Sequence, residues 1–347
     1  MNIFEYLCKK TIDFFHYLWF NIFYTDEFLC KGVLAVANTK VFIDGSVGTT
    51  GLRIHDRLSE RQDVELITLP EEKRKDLNSR AEAIKACDVA FLCLPDAASK
   101  EIIEKIGNCS TKILDTSTAH RTNPEWAYGF PELTDAFRSK ILASNRIAVP
   151  GCHASGFCSI VAPLVANGII SPDYPITATS VTGYSGGGKK MIAEYQDADR
   201  PTEFDAPRQY GITQMHKHLP EMKAICGLEY EPCFSPIVAD FYSGMTVTVP
   251  LFGRMLSKKM TVAEIHELFD EHYKNQKMVK VLPLGYEGMI GTNQMSGKDS
   301  MEIIISGNDD RILIASSFDN LGKGASGAAV QCFNLITGND ETSGLVI

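Results

Sequence analysis

Pro150-Gly151-Cys152-His153-Ala154-Ser155 places a thiol directly behind two strand-breaking residues, themselves preceded by the apolar run Ile147-Ala148-Val149. Beyond the thiol, Phe157, Ile160, Val161, Leu164 and Val165 recur at helical spacing until Gly168. The pattern predicts a buried strand, a tight turn and a helix whose first turn carries Cys152. There the unpaired N–H groups and the positive end of the helix favour thiolate, the nucleophilic form of cysteine. Such a residue suits acyl transfer; the competing reading is an inert, small buried side chain.

Proton-transfer chemistry has its own candidates in His216-Lys217-His218-Leu219-Pro220-Glu221. Imidazole titrates near neutrality, and Glu221 is placed to orient a ring. Spacing leaves either histidine open as the acid/base. Zinc would need further ligands, and no CxxC or Cys/His set of metal type accompanies the pair.

Two glycine-rich loops and one arginine add anion-binding potential. Gly45-Ser46-Val47-Gly48-Thr49-Thr50-Gly51 joins a strand to a helix, the position at which glycines let the backbone approach a pyrophosphate. Gly183-Tyr184-Ser185-Gly186-Gly187-Gly188-Lys189-Lys190 lacks the spacing of a Walker loop but puts flexible backbone beside lysines. Ser117-Thr118-Ala119-His120-Arg121 follows a strand, and Arg121 offers a planar fork for phosphate or carboxylate.

Elements that would position these groups alternate from Lys40 onward. Strands are expected at 40–44, 64–69, 89–94 and 112–115, with helices at 50–58, 71–87 and 97–106, an order that specifies a parallel sheet covered on both faces. The second strand ends at Thr68-Leu69 without a carboxylate, and Lys73 and Arg74 follow, which favours NADP over NAD. After the Cys152 helix the runs at 177–182, 238–241, 245–249 and 301–305 alternate more, with a helix at 262–273, as in an α+β domain.

The whole chain has 347 residues and a formal net charge of -9, enough length for two domains and the wrong sign for unspecific nucleic-acid binding. Ten cysteines without paired spacing fit a reducing, cytoplasmic setting. Phe14 to Tyr24 is strongly aromatic but too short to span a bilayer. Residues 1–38 therefore read as an extension of uncertain status, and those before about Val36 are expected to be dispensable.

These ordered motifs resemble the N-acetyl-gamma-glutamyl-phosphate reductases, especially the shorter type. The resemblance extends from about Lys40 to Gly338 and includes Cys93-Leu94-Pro95-Asp96, Tyr128-Gly129-Phe130-Pro131-Glu132-Leu133 and Asn320-Leu321-Gly322-Lys323-Gly324-Ala325-Ser326-Gly327. It implies an α/β fold: a Rossmann-type NADP-binding domain at 39–151, completed by 320–347, and an α+β catalytic and dimerisation domain of the semialdehyde dehydrogenase type at 152–319. The implied catalytic residues are Cys152, His218 (favoured over His216) and Glu221. Cofactor contacts are implied at Gly45, Ser46, Gly48, Thr49, Thr50, Gly51, Leu94, Pro95, Ser117 and Asn320, and substrate contacts at Arg121, Ser185, Gly186 and Lys189. The implied reaction is NADP-dependent and forms a semialdehyde from an acyl phosphate through a cysteine thioester, with inorganic phosphate leaving, in a cytoplasmic homo-oligomer that involves neither metal, membrane nor nucleic acid. Aspartate-semialdehyde dehydrogenase and a dinucleotide-sensing binding protein are the alternatives. Two positions depart from the pattern: the aromatic leader is foreign to the family, and Cys332 stands where a polar residue is common.

Overall fold

A computed structural model describes residues 38–347. The extension expected before residue 39 lies, but for Asn38, outside them.

The first sheet grows from β1 (Thr39–Asp44), α1 (Thr49–Ser59), β2 (Val64–Ile67), α2 (Leu77–Lys85), β3 (Val89–Leu92), α3 (Asp96–Ile106) and β4 (Lys112–Asp115), continued by β5 (Ala127–Tyr128), α4 (Asp135–Ala143) and β6 (Arg146–Ala148). Its strands are parallel in the order β2-β1-β3-β4-β6-β5. Successive side chains point to opposite faces. Val41 and Ile43 accordingly pack with Ile54 and Leu58 of α1, while Phe42 packs with Ala81 and Ile84 of α2 and Ile102 of α3. The chain turns to opposite sides of the sheet after β1 and β3, which opens a crevice at their carboxyl ends.

One continuous helix over 71–87 was expected. Instead a single 3-10 turn (Glu71–Lys73) precedes α2. Asp76 accounts for the break, because its carboxylate accepts the Ser79 N–H at 2.7 Å and restarts the helix as a cap.

α5 (Cys152–Ala166) leads into the second sheet and is apolar nearly all round, as a helix buried on most sides must be. Gly156 lets it lie directly on that sheet: a methyl group there would collide with side chains of Val247, Ser316 and Phe318. The sheet comprises β7 (Thr177–Gly183), then, after α6 (Gly188–Gln196), β8 (Arg208–Gln209), and, after α7 (Leu219–Cys226), β9 (Cys233–Ala239) and β10 (Met245–Phe252). α8 (Val262–Tyr273), β11 (Val279–Val281), β12 (Met301–Asn308) and β13 (Arg311–Phe318) complete it, in the order β11-β12-β13-β10-β7-β9-β8. The strand expected at 238–241 in fact begins at Cys233. Pro236 disguises it, since proline cannot donate to a ladder, but beside β9 the strand β8 is only two residues long.

α9 (Gly327–Thr337) returns to the first sheet, where Ala328, Ala329, Val330, Phe333 and Ile336 share a core with Val41, Phe91, Leu114 and Ile147. No described helix is long and apolar enough to cross a membrane.

Candidate active site

α5 begins at Cys152, and its N-cap residue Gly151 supplies no side chain to cover the first N–H groups. Gly151 itself is fixed, because its N–H donates to Oε1 of Glu221 at 2.8 Å. A methyl group on Gly151 would strike both Nη1 of Arg121 and Nε2 of His218. The arginine and the imidazole therefore converge on the residue immediately before Cys152. From the other side Gly324 closes in, with room for no side chain against the Cβ of Cys152. Together these groups wall a cavity of about 360 Å³ that also takes in Ser185, Gly186, Tyr210 and Asn320.

Glu221 does not orient an imidazole. It lies behind the cavity wall and accepts hydrogen bonds from Arg121 Nη1 (3.0 Å), the Tyr128 hydroxyl (2.8 Å) and the Gly151 N–H. Pro220 stands in the first turn of α7, which aims the buried carboxylate back at the turn before α5. Arg121 also donates from Nε to the Val149 carbonyl (2.8 Å) and from Nη2 to that of Thr116 (2.9 Å). Two of its five N–H groups are left for a ligand.

The two histidines differ in their surroundings. Nδ1 of His216 accepts the backbone N–H of His218 at 3.2 Å, so His216 fixes the loop. His218 is buried and its Nδ1 has no partner. Burial, then the positive charge of Arg121, hold His218 well below the usual imidazole range. His153 was not singled out from sequence. It packs between His216, His218 and Phe234 while its two nitrogens meet the hydroxyls of Ser180 (2.7 Å) and Tyr210 (2.6 Å). Its adjacency to Cys152 was the only available signal; Tyr210 had none.

Burial also raises the Cys152 thiol above its ordinary pKa, against the opposing pull of Arg121 and a backbone hydrogen bond. The thiolate expected from helix position alone is thus outweighed in the resting site by desolvation. A neutral thiol beside a neutral imidazole is the starting state.

Burial brings His153 down to about 3 and His216 to about 4 from 6.5. The unfolded chain therefore binds protons first as pH falls below 6.5, and the stability these rings contribute is complete above that value and lost on acidification. Buried His153 alone adds a slope of about 1.4 kcal/mol per pH unit between those limits. The melting temperature is expected to fall steadily from pH 6.5 to 4.5 in differential scanning fluorimetry, with a shallower slope in His153→Asn; equal slopes would contradict this.

Thr49, Thr50, Thr116, Arg121 and Lys217 line both this cavity and an adjoining groove of about 380 Å³. The groove brings together Gly48, Gly51, Leu94, Pro95, Ser117 and Lys189. Lys189 accordingly sits on the groove rather than among the walls shared with Ser185 and Gly186. Ser117 is held by Asp115, to which its hydroxyl and N–H donate at 2.7 and 2.9 Å. Asn320 accepts the Gly244 N–H at 2.9 Å and donates to the Ser185 hydroxyl at 3.0 Å, which fixes its carboxamide at the cavity. A further cavity of about 510 Å³ lies at the ends of β1 and β2, lined by Gly45, Ser46, Leu94, Arg74 and Lys75 but not Lys73.

These spaces fit an extended dinucleotide. Gly45 adopts φ +85°, and any Cβ there would run into the Cys93 carbonyl, so the turn keeps the backbone bare beside the crevice. Gly48 caps α1 without a side chain and leaves the helix N-terminus open to an anion. Asp44, the carboxylate at the end of β1, is occupied by a bidentate pair with Arg80 at 2.8–3.0 Å.

A parallel nucleotide-binding sheet joined through a cysteine-headed helix to a mixed sheet defines the semialdehyde dehydrogenase class. The sequence profile described as "Semialdehyde dehydrogenase, NAD binding domain" matches residues 40–141, and that described as "Semialdehyde dehydrogenase, dimerisation domain" matches residues 152–320. Proteins of Brucella suis and Brucella ovis named N-acetyl-gamma-glutamyl-phosphate reductase are each 44% identical over 306 residues, covering 86% of this chain and 99% of their own. The chain belongs to the N-acetyl-gamma-glutamyl-phosphate reductase family. Among solved structures, aspartate semialdehyde dehydrogenase II from Vibrio cholerae, complexed with ASA, aligns with a TM-score of 0.67 at 17% identity, covering 86% of this chain and 98% of its own. The Francisella tularensis aspartate semialdehyde dehydrogenase aligns at 0.66 and 15%, covering 86% and 100%. At such identity the likeness is one of fold.

Proposed function

We propose that the chain reduces N-acetyl-L-glutamyl 5-phosphate to N-acetyl-L-glutamate 5-semialdehyde, with NADP as cofactor and release of inorganic phosphate, in cytoplasmic arginine biosynthesis. The observation that carries this reading is the convergence of Arg121 and His218 on Gly151, directly before the uncapped helix start at Cys152.

In the reaction, His218 accepts the Cys152 proton and the sulfur bonds to the acyl carbon. The N–H groups at the start of α5 stabilise the tetrahedral oxyanion. As the C–O bond to phosphate breaks, His218 returns its proton to the departing phosphate, leaving a thioester on Cys152. The bound reduced cofactor supplies the hydride for this carbon. Expulsion of the Cys152 sulfur then gives the aldehyde, and a solvent proton restores the thiol. Ser185, Gly186 and Arg121 hold the substrate in the Cys152 cavity, and Lys189 meets it from the adjoining groove. Asn320 and the residues from Gly45 to Gly51, with Leu94, Pro95 and Ser117, hold the dinucleotide. The working form is a homo-oligomer, dimer or tetramer.

Phosphate-dependent reduction of NADP by N-acetylglutamate semialdehyde tests the reading, with aspartate semialdehyde as comparator. Turnover should require the acetylated substrate; preference for aspartate semialdehyde would overturn it. His218→Asn should lower kcat on the order of 10²-fold or more and His216→Asn much less; the reverse order would exchange their roles.

NADP preference is supported by Arg74, which lines the cavity at the end of β2 and donates from Nε to the Leu69 carbonyl at 3.3 Å. Its charge suits a ribose 2′-phosphate. Arg74→Ala should reduce kcat/KM with NADP about tenfold, the effect of one charge-assisted hydrogen bond, and leave NAD kinetics unchanged. Equal losses with both cofactors would assign Arg74 elsewhere.

A further inference from the structure

We infer that Lys323 is a positioning residue for the reaction: its buried ion pair with Glu132 fixes the turn that packs on Cys152 and so holds the sulfur where it attacks. The inference rests on Cys152 being the nucleophile of the reaction proposed above.

Between β13 and α9 the chain makes a single π-helical turn (Gly322–Ser326), a rare distortion that is frequent at functional sites. Leu321, Gly324 and Ala325 of this segment line the Cys152 cavity. A Cβ on Gly324 would stand 2.9 Å from the Cβ of Cys152, so a shift of the turn is felt at once by the thiol side chain. Lys323, one residue earlier, leaves the cavity and runs to the first sheet. Its Nζ donates to Oε1 of Glu132, between β5 and α4, and to Oε1 of Gln331 in α9, each at 2.6 Å. The ammonium also lies 4.7 Å from the centre of the Phe130 ring. Gln331 Nε2 closes the triangle by donating to Glu132 Oε1 at 2.7 Å. Beyond the lysine, the hydroxyl of Ser326 accepts from Arg57 of α1, so the turn is held at both ends.

Stability does not account for the pair. Lys323 and Glu132 are each 1% exposed, and two charges taken wholly out of water lose in hydration about what they gain from each other. An apolar pair of similar size would serve the core as well. What the ion pair adds is direction: the ammonium must meet two oxygens at fixed points, and the backbone that carries it cannot drift away from Cys152.

A pair of variants separates positioning from stability. Lys323→Met strands the Glu132 carboxylate and should lower the melting temperature. In Lys323→Met/Glu132→Leu neither charge is left alone and Gln331 keeps Glu341 at 3.4 Å, so most of that loss should be recovered. The double variant should nevertheless stay about tenfold or more below wild type in kcat, with KM for the semialdehyde, phosphate and NADP unchanged. Iodoacetamide reads the same displacement without substrate: once the turn is free, water and reagent reach a thiol whose pKa burial holds up, and alkylation of Cys152 should be at least about threefold faster. Recovery of kcat together with melting temperature would overturn the inference, as would raised KM at constant kcat or an unchanged alkylation rate. Gln331→Leu keeps both charges but removes the groups that orient them, and serves should the double variant not fold. It should show the same lower kcat at constant KM, and wild-type kcat and alkylation there would equally overturn the inference. Failure of the wild-type protein to turn over N-acetylglutamate semialdehyde counts against the proposed reaction instead and leaves the alkylation comparison standing.

Discussion

Cys152→Ser is expected to fold, bind the dinucleotide and lose at least about 10³-fold in kcat. The substitution exchanges sulfur for oxygen at the start of α5 and leaves the groove at Gly48–Gly51 untouched. Its cost is chemical: burial already raises the thiol's pKa, and a hydroxyl is far harder to ionise in the same place. His218, held well below the ordinary imidazole range, is too weak a base to compensate. Cys158, in the same helix, provides the control, because it is fully buried and its thiol is pushed well above the ordinary range. Steady-state rates with a fluorescence titration of the cofactor check the prediction. Residual activity within about tenfold of wild type would remove Cys152 from the nucleophile's role.

Glu221→Ala should destabilise the fold by about 3–5 kcal/mol, since it strands a buried guanidinium. Arg121 would lose its counter-charge, and the Tyr128 hydroxyl and Gly151 N–H their acceptor. Glu221→Gln keeps one acceptor oxygen and should remain folded, with lower kcat because the turn before Cys152 is less firmly held. The double variant Arg121→Met/Glu221→Met should lose less stability than the sum of the single losses, because neither partner is then left buried and unpaired. Urea unfolding measures this; simple additivity would mean that the pair is not coupled.

The site's composition was legible where chemistry and chain order coincide. Pro150-Gly151 before an apolar helical repeat located Cys152 at a helix start, and the glycine turn after β1 located the groove at Gly48–Gly51, because both are local signals of a strand changing into a helix. What residue types could not convey was partnership across the chain. Glu221 follows His218 by three residues, so orienting a ring was the natural reading, yet its partners Arg121, Tyr128 and Gly151 lie 70 to 100 positions earlier. His153 and Tyr210 meet only because β8 and α5 approach each other in the fold. β13 escaped notice for a related reason: Ser316 and Ser317 make it look polar, but both are buried, and Ser316 donates to the Gly156 carbonyl of α5 at 3.1 Å. The thiolate expectation failed on magnitude, since helix-end electrostatics were weighed without the burial that only the tertiary structure imposes.

The most direct test of the account is the mass of the protein after mixing with N-acetylglutamyl phosphate in the absence of any reduced dinucleotide. Without a hydride donor the reaction should stop at the thioester. One N-acetylglutamyl group per chain should appear, located by peptide mapping on Cys152 and released by hydroxylamine, with one equivalent of inorganic phosphate set free and no adduct on Cys152→Ser. No adduct, or one carried by another cysteine such as Cys158, would contradict the account.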